Sequence, residues 1–225
     1  MAFSSNFLNV KISRKSHVIW DWNGTVLDDA DLCVEIVNEI LLSQNLNTIS
    51  TRSYREQFEF PVRIYYDRLG LPSNGPLFER FSNKFIKEYR KRWKKCRLQK
   101  DAIKTISFLY SSGIKQSILS AGKQEHVDSF VDHHELSVFF TLVSGATDIY
   151  AEGKLETGKQ HLIKLNVSPD DCLLIGDTTH DFEVAADLGI DCLLFTGGHH
   201  SAERLQATGA PLINSLSKVN SWLIG

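Results

Sequence analysis

The sequence predicts an α/β fold, a parallel sheet with helices on both faces, interrupted after its first strand by a block of helices. Two patterns carry this expectation. From Ile114 onward, short apolar runs alternate with amphipathic stretches at the spacing of a parallel sheet. The run Val18-Ile19-Trp20, which ends at Asp21 and the turn Gly24-Thr25, is a strand of the same kind, yet about seventy helical residues separate it from the next. Length agrees, because 225 residues suffice for one core plus a small insert. Composition is that of an ordinary soluble globular protein, and a net charge of -2 gives no global pull toward nucleic acid or a membrane surface.

Taken in order, the chain reads as follows. After the opening strand, Leu32, Ile36 and Ile40 form one helical stripe with Cys33, Val37 and Leu41 beside it. Asp28 or Asp29 would cap this helix. A short helix is expected around Ser53 to Phe58, and Pro61 suits the first position of another over Val62 to Leu69. LPSNGP, residues 71–76, is a loop. Leu77, Phe81, Phe85, Tyr89 and Trp93 recur every four residues and predict a long helix with an aromatic face. One more helix, Asp101 to Tyr110, ends at Ser112-Gly113. The strands expected next are Ile114 to Ser120, Thr141 to Val143, Cys172 to Ile175, Cys192 to Phe195 and Leu212-Ile213. The helices between them are Lys123 to His134, Leu155 to Leu165, Thr179 to Gly189 and Ala202 to Ala207, with a short final helix. The boundaries are therefore 1–28 and 101–225 for the α/β core and 29–100 for the helical insert.

Cys33, Cys96, Cys172 and Cys192 form no C-x-x-C, and two lie in apolar strand-like runs, so buried reduced thiols and a cytoplasmic location are expected. No apolar run approaches transmembrane length. The first sixteen residues have Lys11, Arg14 and Lys15 and no acid, the charge pattern of a transit peptide, but are read here as a short polar extension.

Several strands end in polar residues: Trp20 in Asp21, Leu119 in Ser120-Ala121-Gly122, and Ile175-Gly176 in Asp177, with Asp181 four residues on. Gly153-Lys154 precedes a helix that also holds Lys159. In an open parallel sheet the carboxyl ends of the strands share one crevice, so Asp21, Ser120, Lys154 and Asp177 can meet. Clustered carboxylates repel unless a cation neutralises them, and oxygen ligands suit Mg²⁺. A lysine and a hydroxyl beside that cation would bind phosphate oxygens, and a carboxylate aimed at phosphorus can act as a nucleophile.

These motifs, Asp21-Trp22-Asn23-Gly24-Thr25, Ser120, Lys154 and Gly176-Asp177-Thr178-Thr179-His180-Asp181, resemble those of the haloacid dehalogenase (HAD) superfamily. The likeness is to its phosphoglycolate phosphatase-like branch, with a helical C1-type cap inserted after the first motif. The resemblance covers nearly the whole chain from about Ser16. It implies a three-layer Rossmann-like core, an all-helical cap, a small phosphorylated metabolite as partner and Mg²⁺ as cofactor. By position, Asp21 would be the nucleophile, and Asp21, the Asn23 backbone carbonyl and Asp177 would hold the metal. Thr25 would support the turn, Ser120 would bind a phosphate oxygen with Ala121 and Gly122 beside it, and Lys154 would neutralise the transferring group. Asp181 would bind a metal-bound water or orient Lys154. Lys159 is the rival lysine, set second on its distance before Asp177. Arg63, Tyr65, Tyr66 and Arg97 are possible substrate contacts from the cap.

Asn23 departs from the pattern. Phosphatases of this family usually have Asp there, which protonates the leaving oxygen and then activates water. An amide cannot carry that proton, and positioned acid–base catalysis is worth about 10²–10⁴-fold. Three explanations are open: substrates with good leaving groups, a proton from His180 or the cap, or a protein that binds a phosphorylated ligand and hardly turns it over. A dehalogenase is a distant third activity, because Asp177 and Asp181 are kept.

Nine Lys or Arg residues lie between Lys84 and Lys100. They are read as the solvated face of an amphipathic helix, and no nucleic-acid partner is expected. His133-His134 and His199-His200 have no recognised ligand spacing and are read as solvated loop or helix ends, and Gly197-Gly198 as a turn. No G-x-S-x-G supports a serine hydrolase.

Overall fold

The computed structural model describes residues 15–146 and 154–224. The polar extension lies, as far as residue 14, outside the described residues, and so does Gly153. The chain runs β1 (His17–Trp20), β2 (Leu27–Asp28), α1 (Ala30–Leu42), α2 (Thr51–Gln57), α3 (Val62–Arg68), α4 (Gly75–Arg92), β3 (Arg97–Leu98) and α5 (Ala102–Ser111). It continues β4 (Lys115–Lys123), α6 (Gln124–His133), β5 (Val143–Ala146), α7 (Lys154–Leu165), β6 (Cys172–Gly176), α8 (Thr179–Leu188), β7 (Asp191–Phe195), α9 (Ala202–Gln206), β8 (Leu212–Ile213) and α10 (Lys218–Ile224).

Six of the strands form one parallel sheet in the order β5-β4-β1-β6-β7-β8. β1 is buried along its whole length, as a strand covered on both faces must be. Trp20 is level with Ile118 of β4 and Ile175 of β6, so Asp21 lies between the carboxyl end of β6 and the Leu119-Ser120 stretch of β4. Strand order reverses at β1, the topological switch where such sheets form a crevice. The Asp21 N–H still donates to the Ile175 carbonyl at 2.8 Å, which holds the first residue past the strand in the sheet plane.

Helices α1 to α4 occupy the chain between β2 and β3. β2 and β3 pair antiparallel, Leu27 with Leu98 and Asp28 with Arg97, and so hold the two ends of this segment side by side. The sequence reading missed this pair, because a two-residue strand has no periodicity. The aromatic stripe buries Phe81 and Tyr89 of α4 and Trp93 just past its end against the core, but Leu77 in the first turn is exposed. The basic residues of α4 lie on the outer side, where Arg92 pairs with Glu35 and Glu39 of α1.

Several boundaries differ from expectation by a few residues. α4 begins at Gly75 inside the expected loop, because Pro76 in the first turn needs no hydrogen-bonded N–H. β4 runs on through Lys123, and β5 begins at Val143 rather than Thr141. Among the described residues no helix is long and apolar enough to cross a membrane.

Candidate active site

Asp21 follows the central strand at the switch point. Lys154, the first residue of α7, is buried and donates to Asp21 Oδ1 and Asp181 Oδ1, each at 2.5 Å. Lys159 is half exposed and pairs with Glu156 at 3.6 Å, so of the two lysines only Lys154 reaches the strand ends. Asp181 is oriented by its own helix. At the third position of α8 it completes a capping box, its Oδ2 accepting from the Thr178 N–H at 2.9 Å, which leaves Oδ1 for Lys154. Asp177 accepts from Thr25 Oγ1 and from the His199 N–H, both at 2.6 Å. Ser120 is buried and its Oγ accepts from the Gly122 N–H at 3.0 Å.

Two glycines permit this crowding. Gly24 has φ +80°, and a Cβ there would lie 2.3 Å from Asp177 Oδ2. A Cβ on Gly198 would lie 2.1 Å from the same oxygen. The turn expected at Gly197-Gly198 is thus also a wall of the site.

Carboxylate oxygens of Asp21, Asp177 and Asp181 lie within 4.8 Å of one another. Burial pushes the Asp21 carboxyl well above the ordinary range, and Asp181 and Asp177 add to this against the pull of Lys154. Burial and the neighbouring Asp181 push Asp177 up to about 6, against the opposing pull of His199. Burial would raise Asp181 as well, but Lys154 overrides it and holds the group at about 2. Burial disfavours the Lys154 ammonium, yet its two carboxylate partners keep it charged. Three carboxylates against one ammonium leave a surplus of negative charge ringed by hard oxygen donors. That donor set fits a divalent cation such as Mg²⁺.

The sequence reading missed a second layer. Asp29 was expected to cap α1, but its side chain makes no cap bond. It turns inward and accepts from Asn23 Nδ2 at 2.7 Å, the Gly24 N–H at 2.9 Å and Tyr89 Oη at 2.6 Å. His199 Nε2 lies 3.3 Å from Asp29 Oδ1, and Nδ1 is 2.9 Å from Tyr54 Oη. The expectation of solvated histidines at His199-His200 is therefore wrong: both are buried. Burial opposes the His199 charge, but Asp29 chiefly, with Asp177 and Asp21, pushes it up to about 9. The missed signal is the one used for Asp21, since Gly198-His199 follows the carboxyl end of β7. Cys33 brings a third donor type within 4.8 Å of Asp29 and His199. The imidazolium already neutralises Asp29, which accepts four donors, so this group is complete without an ion. His133 ends α6 exposed, as expected, but His134 is half-buried against Trp22 and Trp93.

Above the strand ends lies a cavity of about 180 Å³ between the core and helices α1 to α4. Asp21, Asn23, Ser120, Ala121, Gly122, Lys154 and Asp181 form its floor. Of the expected contacts from the insert, Tyr65 and Tyr66 line it and Arg63 and Arg97 do not. Arg63 belongs instead to α3 without facing the cavity.

The fold and this floor define a class: α/β enzymes with a carboxylate at the end of the central strand, a lysine beside it and further acids just past the neighbouring strand and in the helix after it. The comparisons agree. Residues 18–195 match the haloacid dehalogenase-like hydrolase family, and the chain belongs to it. It is 22% identical over 194 residues to a phosphoglycolate phosphatase of Synechococcus elongatus, covering 84% of this chain and 88% of that protein. Among solved structures, a Clostridium acetobutylicum protein described as a predicted phosphatase superposes with TM-score 0.80 at 18% identity, over 94% of this chain and 99% of that one. Protein tyrosine kinase A of Mycobacterium tuberculosis also reaches 0.80 at 18% identity, over 95% of this chain and 100% of that one. At such identities the likeness to solved structures is one of fold, and one fold hosts more than one reaction.

Proposed function

We propose that this chain is a Mg²⁺-dependent phosphatase of small phosphomonoesters that works through an aspartyl-phosphate on Asp21. The observation that carries this reading is Lys154 set between Asp21 and Asp181 beside Asp177, at the switch point of the sheet. An Asp21 oxygen attacks phosphorus, the bond from phosphorus to the leaving oxygen breaks, and Lys154 and Ser120 bind the phosphoryl oxygens. Water then cleaves the acyl phosphate. Asp21, Asp177 and the Asn23 backbone carbonyl would hold the cation, with Asp181 behind them. When bound, it would screen the charge between nucleophile and phosphate. Residues 29–100 act as the cap over a core of 1–28 and 101–225, a division that the β2–β3 pairing across the insert's ends supports. Four free thiols suit a cytoplasmic setting.

Acetyl phosphate with Mg²⁺ should add one phosphoryl group by intact mass, and Asp21→Asn should remove it. Neither adduct nor hydrolysis of any phosphoester would overturn the reading. A second reading, a phosphoryl-ligand binding protein with impaired turnover, rests on Asn23, whose amide hydrogens are engaged by Asp29 and Tyr89. Phosphate release separates the two. A nearly inactive wild type with a large gain in Asn23→Asp favours binding, and a fast wild type favours the enzyme.

A further inference from the structure

The substrate class can be read from the cavity and from Asn23 together, on the premise of the phosphatase reading above. Asn23 Nδ2 donates to Asp29 Oδ2 at 2.7 Å and to Tyr89 Oη at 2.8 Å. Tyr89 Oη itself donates to Asp29 Oδ2, so its oxygen is free to accept the second amide hydrogen. The amide is therefore pinned with both donors turned away, and its Oδ1 lies toward Gly122, 3.6 Å from where a Cβ would stand there. Position 23 offers the leaving oxygen an acceptor and no proton. A leaving group that departs without a proton from position 23 is best a weak base. A phenol, with pKa about 10, meets this far better than an aliphatic alcohol.

The cavity wall points the same way. Phe58, Phe60, Tyr65, Phe85, Ile86 and Phe130 surround the space above Asp21. No Lys or Arg between residues 29 and 100 lines it. Of the two lysines that do, Lys154 is held by two carboxylates and Lys123 pairs with Glu125 at 3.0 Å. A carboxylated substrate would lose hydration there without meeting an unpaired lysine or arginine, and the His199 imidazolium is already taken by Asp29. Four lining residues carry a buried polar atom with no hydrogen-bond partner among the described residues: Tyr65 Oη, Ser82 Oγ, His126 Nε2 and His180 Nε2. Such scattered single partners suit one polar group on an otherwise apolar body. The cavity of about 180 Å³ must also hold the phosphoryl group at its floor, which leaves room for no more than one aromatic ring.

We propose that the substrate is a monocyclic aryl phosphate monoester with an uncharged leaving group. An Asp21 oxygen forms the new bond to phosphorus, the bond to the aryl oxygen breaks with its electron pair, and the phenolate takes its proton from water.

The test measures kcat/KM with Mg²⁺ for substituted phenyl phosphates, alkyl phosphates and 2-phosphoglycolate, because kcat/KM reports the step in which the leaving group departs. Phenyl esters should exceed 2-phosphoglycolate by about tenfold or more, as one well-filled apolar pocket allows. Rates should fall steeply as the leaving group becomes more basic, and Asn23→Asp should flatten that slope. Titration calorimetry should show phenylphosphonate binding in preference to phosphonoacetate, with and without Mg²⁺. Ile86→Arg should reverse that preference. A wild type that takes 2-phosphoglycolate or alkyl phosphates as well as phenyl esters overturns the inference. If acetyl phosphate still labels Asp21 in that case, the phosphatase reading stands and only the substrate class fails. If nothing labels Asp21 and no ester is hydrolysed, both fail.

Discussion

Asn23 stands 2.7 Å from a buried carboxylate, and that contact decides what a substitution there would do. An Asp at position 23 would face Asp29 at hydrogen-bond distance, and two such carboxyls cannot both ionise easily. One keeps a proton near neutral pH, which is what a general acid needs. Asn23→Asp should therefore raise hydrolysis of alkyl phosphates by about 10²–10⁴-fold, read as phosphate release. Lys154 shows the opposite dependence. Lys154→Met would leave Asp21 and Asp181, beside Asp177, without their counter-charge, and loss of one partner of a buried pair costs about 3–5 kcal/mol. Denaturant titration should show that loss, and Mg²⁺ should recover part of it. No recovery would count against a cation among these three carboxylates.

At the level of the element, close approach of turns to carboxylates sets the geometry. The β1 turn passes over Asp177 only because Gly24 has φ +80° and no side chain. Gly24→Ala adds about 1–3 kcal/mol of backbone strain and drives a methyl group into Asp177. The melting temperature should fall, and the further rise on adding Mg²⁺ should shrink. An unchanged response to Mg²⁺ would place the cation elsewhere. The α8 capping box does related work, since the bonds that stop helix fraying also aim Asp181 at Lys154. Structural and candidate catalytic roles share one side chain there.

Across the whole molecule, buried histidines make stability depend on pH in two directions. His199 has a folded value of about 9 against an ordinary 6.5, so its contribution is fully present below 6.5 and lost as pH rises through about 9. A shift of that size corresponds to about 3 kcal/mol. His17 and His161 share Ser117 Oγ at 2.8 Å under the sheet, and burial lowers both to about 4. Their contribution is fully present above 6.5 and lost as pH falls through about 4. Unfolding free energies of wild type minus His199→Gln should be largest below pH 6.5 and vanish toward pH 9. For His161→Gln the difference should be largest above pH 6.5 and shrink in acid. A pH-independent difference in either series would remove the ionisation argument.

How much of this was legible differs by residue. Asp21, Ser120 and Asp177 could be read because each ends an apolar run, and a parallel sheet lines up such ends whatever the intervening chain does. The choice of Lys154 over Lys159 could only be ranked, because both sit near a helix start. Asp29 was misread because an acid before an amphipathic helix is most often a cap, and only packing shows its side chain turned inward. His199 was misread because a histidine after two glycines has the local look of a solvated loop.

Local sequence alone therefore determined the α/β core, the helical insert and the position of the candidate nucleophile. Those follow from hydrophobic periodicity and turn chemistry, which act over a few residues. Tertiary structure alone decided the partners of Asn23, the Asp29–His199 pair and the apolar lining of the cavity. Each brings together groups from separate elements, Asn23 with Tyr89 sixty-six residues away among them, and burial and long-range pairing have no signature in any local pattern.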